Sequence, residues 1–310
     1  MNTLLSICCF SYNHSLYIKQ CLDGFLMQKT NFLFEILIHD DASSDGTQKI
    51  IHEYQQKYPN IIKPVYQKEN QFSKGIYVPF YLFSLVKGKY VAICEGDDYW
   101  IDPMKLQKQV DFLESNSNFS LVFSNRLIIS DNGKLIKQLC CKNVFTQKDL
   151  LGGEIIGLQT ICYRSEYLLM SNRNYLNVNG DMIWPYLCSL KGKLYCLPDV
   201  TSVYRRTGFG LASSRDSSEI LKISLKHMWN FHKAVNSKSM HLLVKAQARY
   251  VYSDIISNIR KRNIFGWKAA FVEFNSYPYS SKIISNIILL FYLLYFFTKN
   301  AVRKRKSIFK

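Results

Sequence analysis

The chain has 310 residues, 48% of them hydrophobic and 20% charged, which is enough to bury a full α/β core and leave material for a smaller appendage. Forty Lys and Arg against 23 Asp and Glu give a formal charge of +17, an excess that favours nucleic acid, anionic lipid headgroups or diphosphates without choosing among them. Nine cysteines, an odd number with no C-x-x-C pair, argue against a zinc site; Cys8, Cys9, Cys94 and Cys162 sit in apolar strand-like runs where reduced thiols act as small hydrophobes.

Met1 to Phe10 lacks the basic segment and length of a secretory signal and leads straight into the first core strand. Leu4 to Phe10 is a continuous apolar run, as in a strand covered on both faces, and Ser11-Tyr12-Asn13-His14 ends it. Ile18, Leu22, Phe25 and Leu26 then recur at helical spacing before Phe34 to Ile38 resumes a strand, completing one βαβ unit. The turn-rich loop Asp40 to Thr47 precedes a helix over Thr47 to Tyr58. A third strand near Ile61 to Tyr66, a helix through Tyr77 to Val86 and a strand over Lys89 to Cys94 follow, the last closed by Glu95-Gly96-Asp97-Asp98. This order argues for a mostly parallel sheet with helices on both faces.

Asp102 as N-cap with Pro103 at the first helical position predicts a helix carrying Leu106, Val110 and Leu113 on one face, and Ser120 to Asn125 reads as a strand. Thr146-x-x-Asp149 is a capping box for a short helix that stops at Gly152-Gly153; strand character returns over Leu158 to Tyr163. The expected organisation is an α/β domain over 1–215, a helical extension over 216–280 and an apolar, basic-tailed segment over 281–310. Ile283 to Thr298 would span about 24 Å as a helix, short of the roughly 30 Å hydrocarbon core. With Arg303, Lys304, Arg305, Lys306 and Lys310 behind it, a monotopic or re-entrant anchor is preferred over a full span or a buried soluble helix.

In an open parallel sheet ligands bind outside the carboxyl ends of the strands, which makes Tyr12, Asp40, Asp41, Asp97 and Asp98 neighbours. No Gly-rich turn follows the first strand and no Walker loop occurs, so hydride transfer and P-loop chemistry are poor readings. Paired carboxylates beside a phosphate-seeking surface suit Mg²⁺ or Mn²⁺; the alternative is that Asp97 and Asp98 form a solvated turn.

Ser11-Tyr12-Asn13, Asp40-Asp41-Ala42-Ser43-Ser44-Asp45-Gly46-Thr47 and Glu95-Gly96-Asp97-Asp98-Tyr99-Trp100, followed by Asp102-Pro103 and Lys105-Leu106, together resemble the signatures of family 2 glycosyltransferases. The resemblance covers residues 4 to about 215 and implies a GT-A fold, a nucleotide-diphosphate-sugar donor and inversion at the anomeric carbon. By position it implies that Tyr12 and Asp41 line the nucleobase pocket, with a lean to uridine, and that Asp97 and Asp98 hold ribose and metal, Asp98 as the direct ligand. Glu95 stands where many relatives have Asp, and its extra methylene sets it outside direct ligation.

Asn179 to Trp184 resembles the segment that carries the family's general base, which implies that role for Asp181; on the residues alone Asp181 also reads as a helix cap. Tyr204 to Gly210 resembles a loop closing over the diphosphate, so Arg205 and Arg206 are expected to bind the donor. Many relatives have His where this chain has Thr207, leaving the cation to Asp98, phosphates and water. Tyr99 and Trp100 are candidate platforms for a sugar face, while His14, His39 and His52 receive no role.

The expected partners are a nucleotide-sugar donor, a carbohydrate or lipid-linked saccharide acceptor, and a membrane surface, with no nucleic acid; the expected location is cytoplasmic, on the inner face of the membrane. Two rivals stand beside this reading. A sugar-phosphate nucleotidyltransferase lacks its Gly-rich basic loop here, and a non-catalytic basic membrane-binding protein leaves the acidic strand ends unexplained.

Overall fold

The computed structural model describes residues 2–76, 78–170, 180–207, 217–235 and 242. Strands β1 (Leu5–Ser11), β2 (Phe34–Asp40), β3 (Ile62–Tyr66) and β4 (Tyr90–Glu95) run parallel in the order β3-β2-β1-β4. Their register sets Ser11 level with Asp40 and Phe10 level with Glu95, so the polar residues ending three strands meet at one edge. Beyond β4 the sheet continues through β9 (Cys162–Arg164), β6 (Phe119–Ser130), β10 (Lys193–Arg206) and β5 (Tyr99–Trp100), while β7 (Leu135–Leu139) pairs with β6 and β8 (Val144–Phe145) with β10. The long pairings, including β6 with β10, are parallel, and short antiparallel strands join them. β5 leaves β4 across the acidic turn and pairs with β10 through Trp100 and Ser202, so the turn bridges the two halves of the sheet.

Side chains alternate across the strands, and each face has its own cover. Helices α1 (Ile18–Leu26) and α2 (Thr47–Lys57) bury their apolar stripes against Leu5, Ile7, Cys9, Ile36 and Ile38. Ile18, Leu22 and Phe25 of α1 are fully buried, each worth about 1.5–3 kcal/mol. On the other face, α3 (Pro79–Phe83) sets Tyr81 against His39 at 5.2 Å and Phe83 against Phe10 at 6.5 Å; Phe83 also meets Trp184 of α6 (Gly180–Ser189) at 5.0 Å. Helix α4 (Lys105–Ser115) adds Leu106, Val110 and Leu113 to the α1 side of the core. The expected α/β sheet with helices on both faces is therefore the fold, although helix lengths and one strand differ.

The helix expected over 77–86 is only α3, because Lys87 and Gly88 donate their amides to Ser6 Oγ (3.2 and 3.0 Å) and turn the chain into β4. The helix after Pro103 starts later than its sequence signal: Asp102 accepts from Met104 N through its carboxylate (2.8 Å) and from Lys105 N through its carbonyl (3.2 Å), making a turn before α4. Leu158 to Thr160 is a 3-10 turn rather than strand, since both the amide and hydroxyl of Thr160 bond to Gly157 O (3.0 and 2.6 Å); strand geometry begins at Cys162.

Among the described residues one compact unit comprises 2–76, 78–147, 155–170 and 180–207, and a second comprises 148–154, 217–235 and 242. The second contains most of α5 (Gln147–Leu151) and α7 (Ser217–Ala234), with His232 Nε2 3.0 Å from Leu151 O. Among the described residues no helix is long and apolar enough to cross a membrane. The expected boundaries near 215 and 281, the apolar run Ile283 to Thr298 and the basic tail lie outside those residues.

Candidate active site

The loops after β1 and β2 are laced into one rim. Asp40 accepts from Ser43 N (3.0 Å), Ser43 Oγ (2.6 Å) and Gln48 Nε2 (2.6 Å), while Ser43 Oγ accepts from Asn13 N (2.9 Å) and Asn13 Oδ1 accepts from Ser44 N (3.0 Å). Asn13 and Ala42 hold left-handed backbone (φ 54° and 63°), the conformation that makes these tight turns. Tyr12 stands 46% exposed on this rim. Asp41 is buried, with its two carboxylate oxygens accepting from Gln71 N (2.7 Å) and Phe72 N (3.0 Å).

Asp45 ties the rim to α2 and to the start of α1. It accepts from Ser15 N (2.9 Å), Thr47 N (3.0 Å) and Thr47 Oγ1 (2.6 Å). Burial pushes its pKa up, but the Thr47 hydroxyl and the Ser15 and Thr47 amides outweigh that and bring it down to about 2. A depressed folded pKa stabilises above the unfolded value and is lost as pH falls through the folded one. Asp45→Ala should cost about 1 kcal/mol at pH 7, as for a lost helix-cap carboxylate. In urea melts the gap to wild type should close between about pH 4 and 2; a gap constant with pH would show that the carboxylate charge contributes nothing.

The acidic turn is held from behind. Gly96 N donates to Phe10 O (2.8 Å) and Asp98 N to Glu95 O (3.0 Å); a Cβ on Gly96 would lie 2.8 Å from His14 Nδ1 and 2.9 Å from Ile18 Cδ1, so packing demands glycine there. Asp98 is 2% exposed, and its Oδ1 accepts from the Arg205 amide (2.8 Å). The Arg205 guanidinium donates to Asp97 O (2.6 Å) and Gln20 Oε1 (2.6 Å) and lies between the Tyr17 ring (4.7 Å) and the Tyr99 ring (5.0 Å). Arg205 therefore clamps the turn, whereas its neighbour Arg206 is exposed. Arg205→Met should lower stability by about 1–2 kcal/mol, read as a fall in urea midpoint, because the buried guanidinium loses its bond to Asp97 O and its packing between the Tyr17 and Tyr99 rings. An unchanged midpoint would contradict this clamp.

Four carboxylates share the cleft beyond the turn. Burial, followed by the charges of Asp97 and Glu95, lifts the pKa of Asp98 well above the ordinary value against the opposing Arg205 amide and Arg126. Glu95 reaches solvent, yet the enclosing walls, Asp97 and Asp181 push it up to about 8. Burial also raises Asp181, opposed by Arg126 and by the Leu158 amide, which donates to Asp181 Oδ1 at 3.2 Å. Tyr204 is pushed up to about 12 by burial and then by Asp98, Glu95, Asp181 and Asp97. The fold thus brings together the acidic turn and Asp181, residues some 80 positions apart in sequence.

One member of this cleft has no part in the sequence-based assignment: Arg126, whose guanidinium sits over the Tyr204 ring at 5.6 Å. Arg126 Nη1 also donates to Gln159 Oε1 (3.4 Å) and occupies the space above Gly157, where a Cβ would lie 1.4 Å from it. Its signal in the sequence is a single basic residue within the largely apolar β6. Trp100 is not the expected sugar platform: it is 2% exposed, with Phe25 at 4.7 Å and Lys105 Nζ at 4.3 Å, and its Nε1 donates to Gln159 O (2.9 Å). Tyr99 gives one face to Arg205. Among the described residues, no group of three or more His, Cys, Asp or Glu side chains is arranged to hold a metal by itself.

The sequence model of glycosyl transferase family 2 matches residues 6–163, just over half of the chain and including the acidic turn. The chain belongs to this family. Asp181, Arg205 and Arg206 lie beyond the matched span. An uncharacterized Mycobacterium tuberculosis protein, Rv1520, is 33% identical over 217 residues, 67% of this chain but 60% of its own length, so the chain spans well under two thirds of that relative. A Bacillus subtilis relative, TuaG, provisionally named as a teichuronic acid biosynthesis glycosyltransferase, is 27% identical over 213 residues, covering 68% of this chain and 82% of its own.

Solved structures share the family's GT-A fold. The mannosyltransferase PcManGT of Pyrobaculum calidifontis, in complex with GDP-Man and Mn²⁺, matches with a TM-score of 0.57 at 15% identity over 94% of this chain and 79% of its own. S. aureus TarS 1-349, in complex with UDP-GlcNAc, matches at 0.52 and 14% identity over 90% and 93%. At such identities the likeness speaks for the fold alone.

Proposed function

We propose that this glycosyltransferase is an inverting, Mn²⁺- or Mg²⁺-dependent enzyme that moves a sugar from a nucleotide diphosphate, preferably UDP, to a hydroxyl of a saccharide acceptor. The observation that carries the reading is the convergence of Glu95, Asp97, Asp98 and Asp181 beside Tyr204 and Arg126, with Asp98 held by the Arg205 amide and Asp181 by the Leu158 amide, on a family 2 scaffold. Neighbouring carboxylates raise the pKa of Glu95 and Asp98, and such a cluster of hard oxygen donors fits a divalent cation, whose binding would relieve that repulsion. Asp98 with Asp97 would hold it, and when bound it supplies charge screening for the diphosphate. The Mn²⁺ and nucleotide sugars in the complexes of PcManGT and TarS are consistent with this assignment.

In this reading Tyr12 and Asp41 receive the nucleobase, Asp97 the ribose, and Arg206 the diphosphate. Arg205 acts through its clamp on the acidic turn, and Arg126 with the Tyr204 hydroxyl faces charge developing on the leaving group. Asp181 takes the proton of the acceptor hydroxyl as that oxygen bonds to C1. The C1–O bond to phosphate breaks in line, and its electron pair leaves with the nucleoside diphosphate. Burial raises the pKa of Asp181, which strengthens its carboxylate as a base.

The acceptor is proposed to be lipid-linked, in surface polysaccharide or glycolipid assembly at the inner membrane face. The basic tail after the apolar run and the name of TuaG support this. Truncation before Ser281 should release the protein from membranes on fractionation, and a truncated form that stays bound would sink the anchor.

Calorimetric titration with UDP and GDP, with and without Mn²⁺, tests the donor site. Binding of one nucleotide that needs Mn²⁺ and falls at least about tenfold in Asp97→Ala is expected. Absence of binding by either nucleotide would remove the catalytic reading.

A further inference from the structure

Gln159 is 2% exposed, and each polar atom of its side chain can be accounted for except one. Its Oε1 accepts from Arg126 Nη1 (3.4 Å), while Nε2 is buried without a hydrogen-bond partner. The assignment of the amide ends follows from chemistry: a guanidinium only donates, so the oxygen must face Arg126 and the NH₂ group is the unmatched end. A buried donor left unpaired is costly, and native proteins retain few of them without a reason.

The surroundings of Gln159 supply that reason. The preceding residue donates its amide to Asp181 Oδ1 (3.2 Å), and the Gln159 carbonyl accepts from Trp100 Nε1 (2.9 Å), two residues past the acidic turn. Thr160 O accepts from Gln109 Nε2 (2.7 Å), whose Oε1 in turn accepts from buried Lys105 (2.7 Å). One short turn is thereby fixed to the base candidate, to Arg126 and to the strand that follows the acidic turn. Its amide orientation is set before any ligand arrives, as specific recognition requires.

We infer that Gln159 Nε2 is a saccharide-recognition donor, meeting a hydroxyl or carbonyl oxygen of the sugar held between the acidic turn and Asp181. This inference rests on the glycosyltransferase reading above and adds a specificity-determining residue to it. The oxygen belongs either to the sugar being transferred or to the acceptor. A site that spends a buried donor on one oxygen discriminates strongly against analogues lacking it, because the donor is then stranded.

Gln159→Glu is the informative substitution, since it keeps an oxygen towards Arg126 and replaces the NH₂ donor with an acceptor. Gln159→Met removes both ends, and thermal melting monitors folding of each. Binding of UDP, GDP, UDP-GlcNAc and GDP-mannose is measured by calorimetry with Mn²⁺ on the full chain, together with turnover against acceptor concentration in a membrane extract. If the oxygen is on the transferred sugar, both variants lose about tenfold or more in affinity for the nucleotide sugar beyond any loss they show for the free nucleoside diphosphate. If it is on the acceptor, affinity for the nucleotide sugar changes only as that for the free diphosphate does and the acceptor KM rises by about tenfold or more. Folded variants that match wild type in both measurements overturn the inference and leave the glycosyltransferase reading intact. Wild-type protein that binds none of the four nucleotides removes that reading, and this inference with it.

Discussion

Asp181→Asn should reduce kcat by about 10³-fold while nucleotide binding and fold survive, because the acceptor hydroxyl loses its proton acceptor and nothing else in the cleft changes shape. Asn retains an oxygen for the Leu158 amide, so the link between α6 and the 3-10 turn persists. Stability separates this from a helix-capping role. Burial raises the pKa of Asp181, so its ionisation weakens the fold at pH values above its unfolded value, and that penalty disappears with Asn. The melting temperature at pH 7 should therefore be unchanged or higher. A lower melting temperature with kcat retained would assign Asp181 to the fold instead of the chemistry.

Gly157→Ala should lower turnover by about 10²-fold with little change in stability. The backbone at Gly157 is ordinary extended geometry (φ −67°, ψ 135°), so glycine is not needed for its dihedrals. It is needed for space: an added methyl would lie 1.4 Å from Arg126 Nη1 and 2.6 Å from Gln159 Oε1. The end of an arginine side chain can swing away at small energetic cost, which spares the fold but moves a cation that acts on both Asp98 and Asp181. A misplaced group stabilising leaving-group charge costs two to three orders of magnitude. The Ala variant should keep its urea midpoint within about 1 kcal/mol of wild type. Wild-type turnover in that variant would exclude Arg126 from the reaction.

These effects trace how much of the site can be read from the chain. The strand ends were legible because their polar clusters interrupt apolar runs: Asp40 to Thr47 and Glu95 to Asp98 need no tertiary information to be recognised as loops. The parallel core followed from the βα alternation. Arg126 was not legible, since a basic residue in a strand reveals neither the face it takes nor the glycine 31 positions later that makes room for it. Leu158 to Thr160 has strand-like composition, and only the local bonds to Gly157 O close it into a turn.

Arg205 and Trp100 illustrate a second limit. A motif gives residue types next to phosphate or sugar, but burial decides what each side chain can touch. Arg205 is committed to Asp97 O and Gln20, and Trp100 lies against Phe25 and Lys105, so both act from beneath the acidic turn. Burial also brings the pKa of Lys105 down to about 8, a consequence of packing that its position beside Leu106 does not announce.

The central claim is that this cleft transfers a sugar from a nucleotide diphosphate. Its most direct test is release of nucleoside diphosphate from a panel of UDP- and GDP-sugars by detergent-solubilised protein, with Mn²⁺, Mg²⁺ or chelator, in wild type and Asp98→Ala. One donor consumed, to acceptor or slowly to water, only with a divalent cation and only by wild type, is the predicted result. No release from any donor with either cation, from protein that is folded, would contradict it.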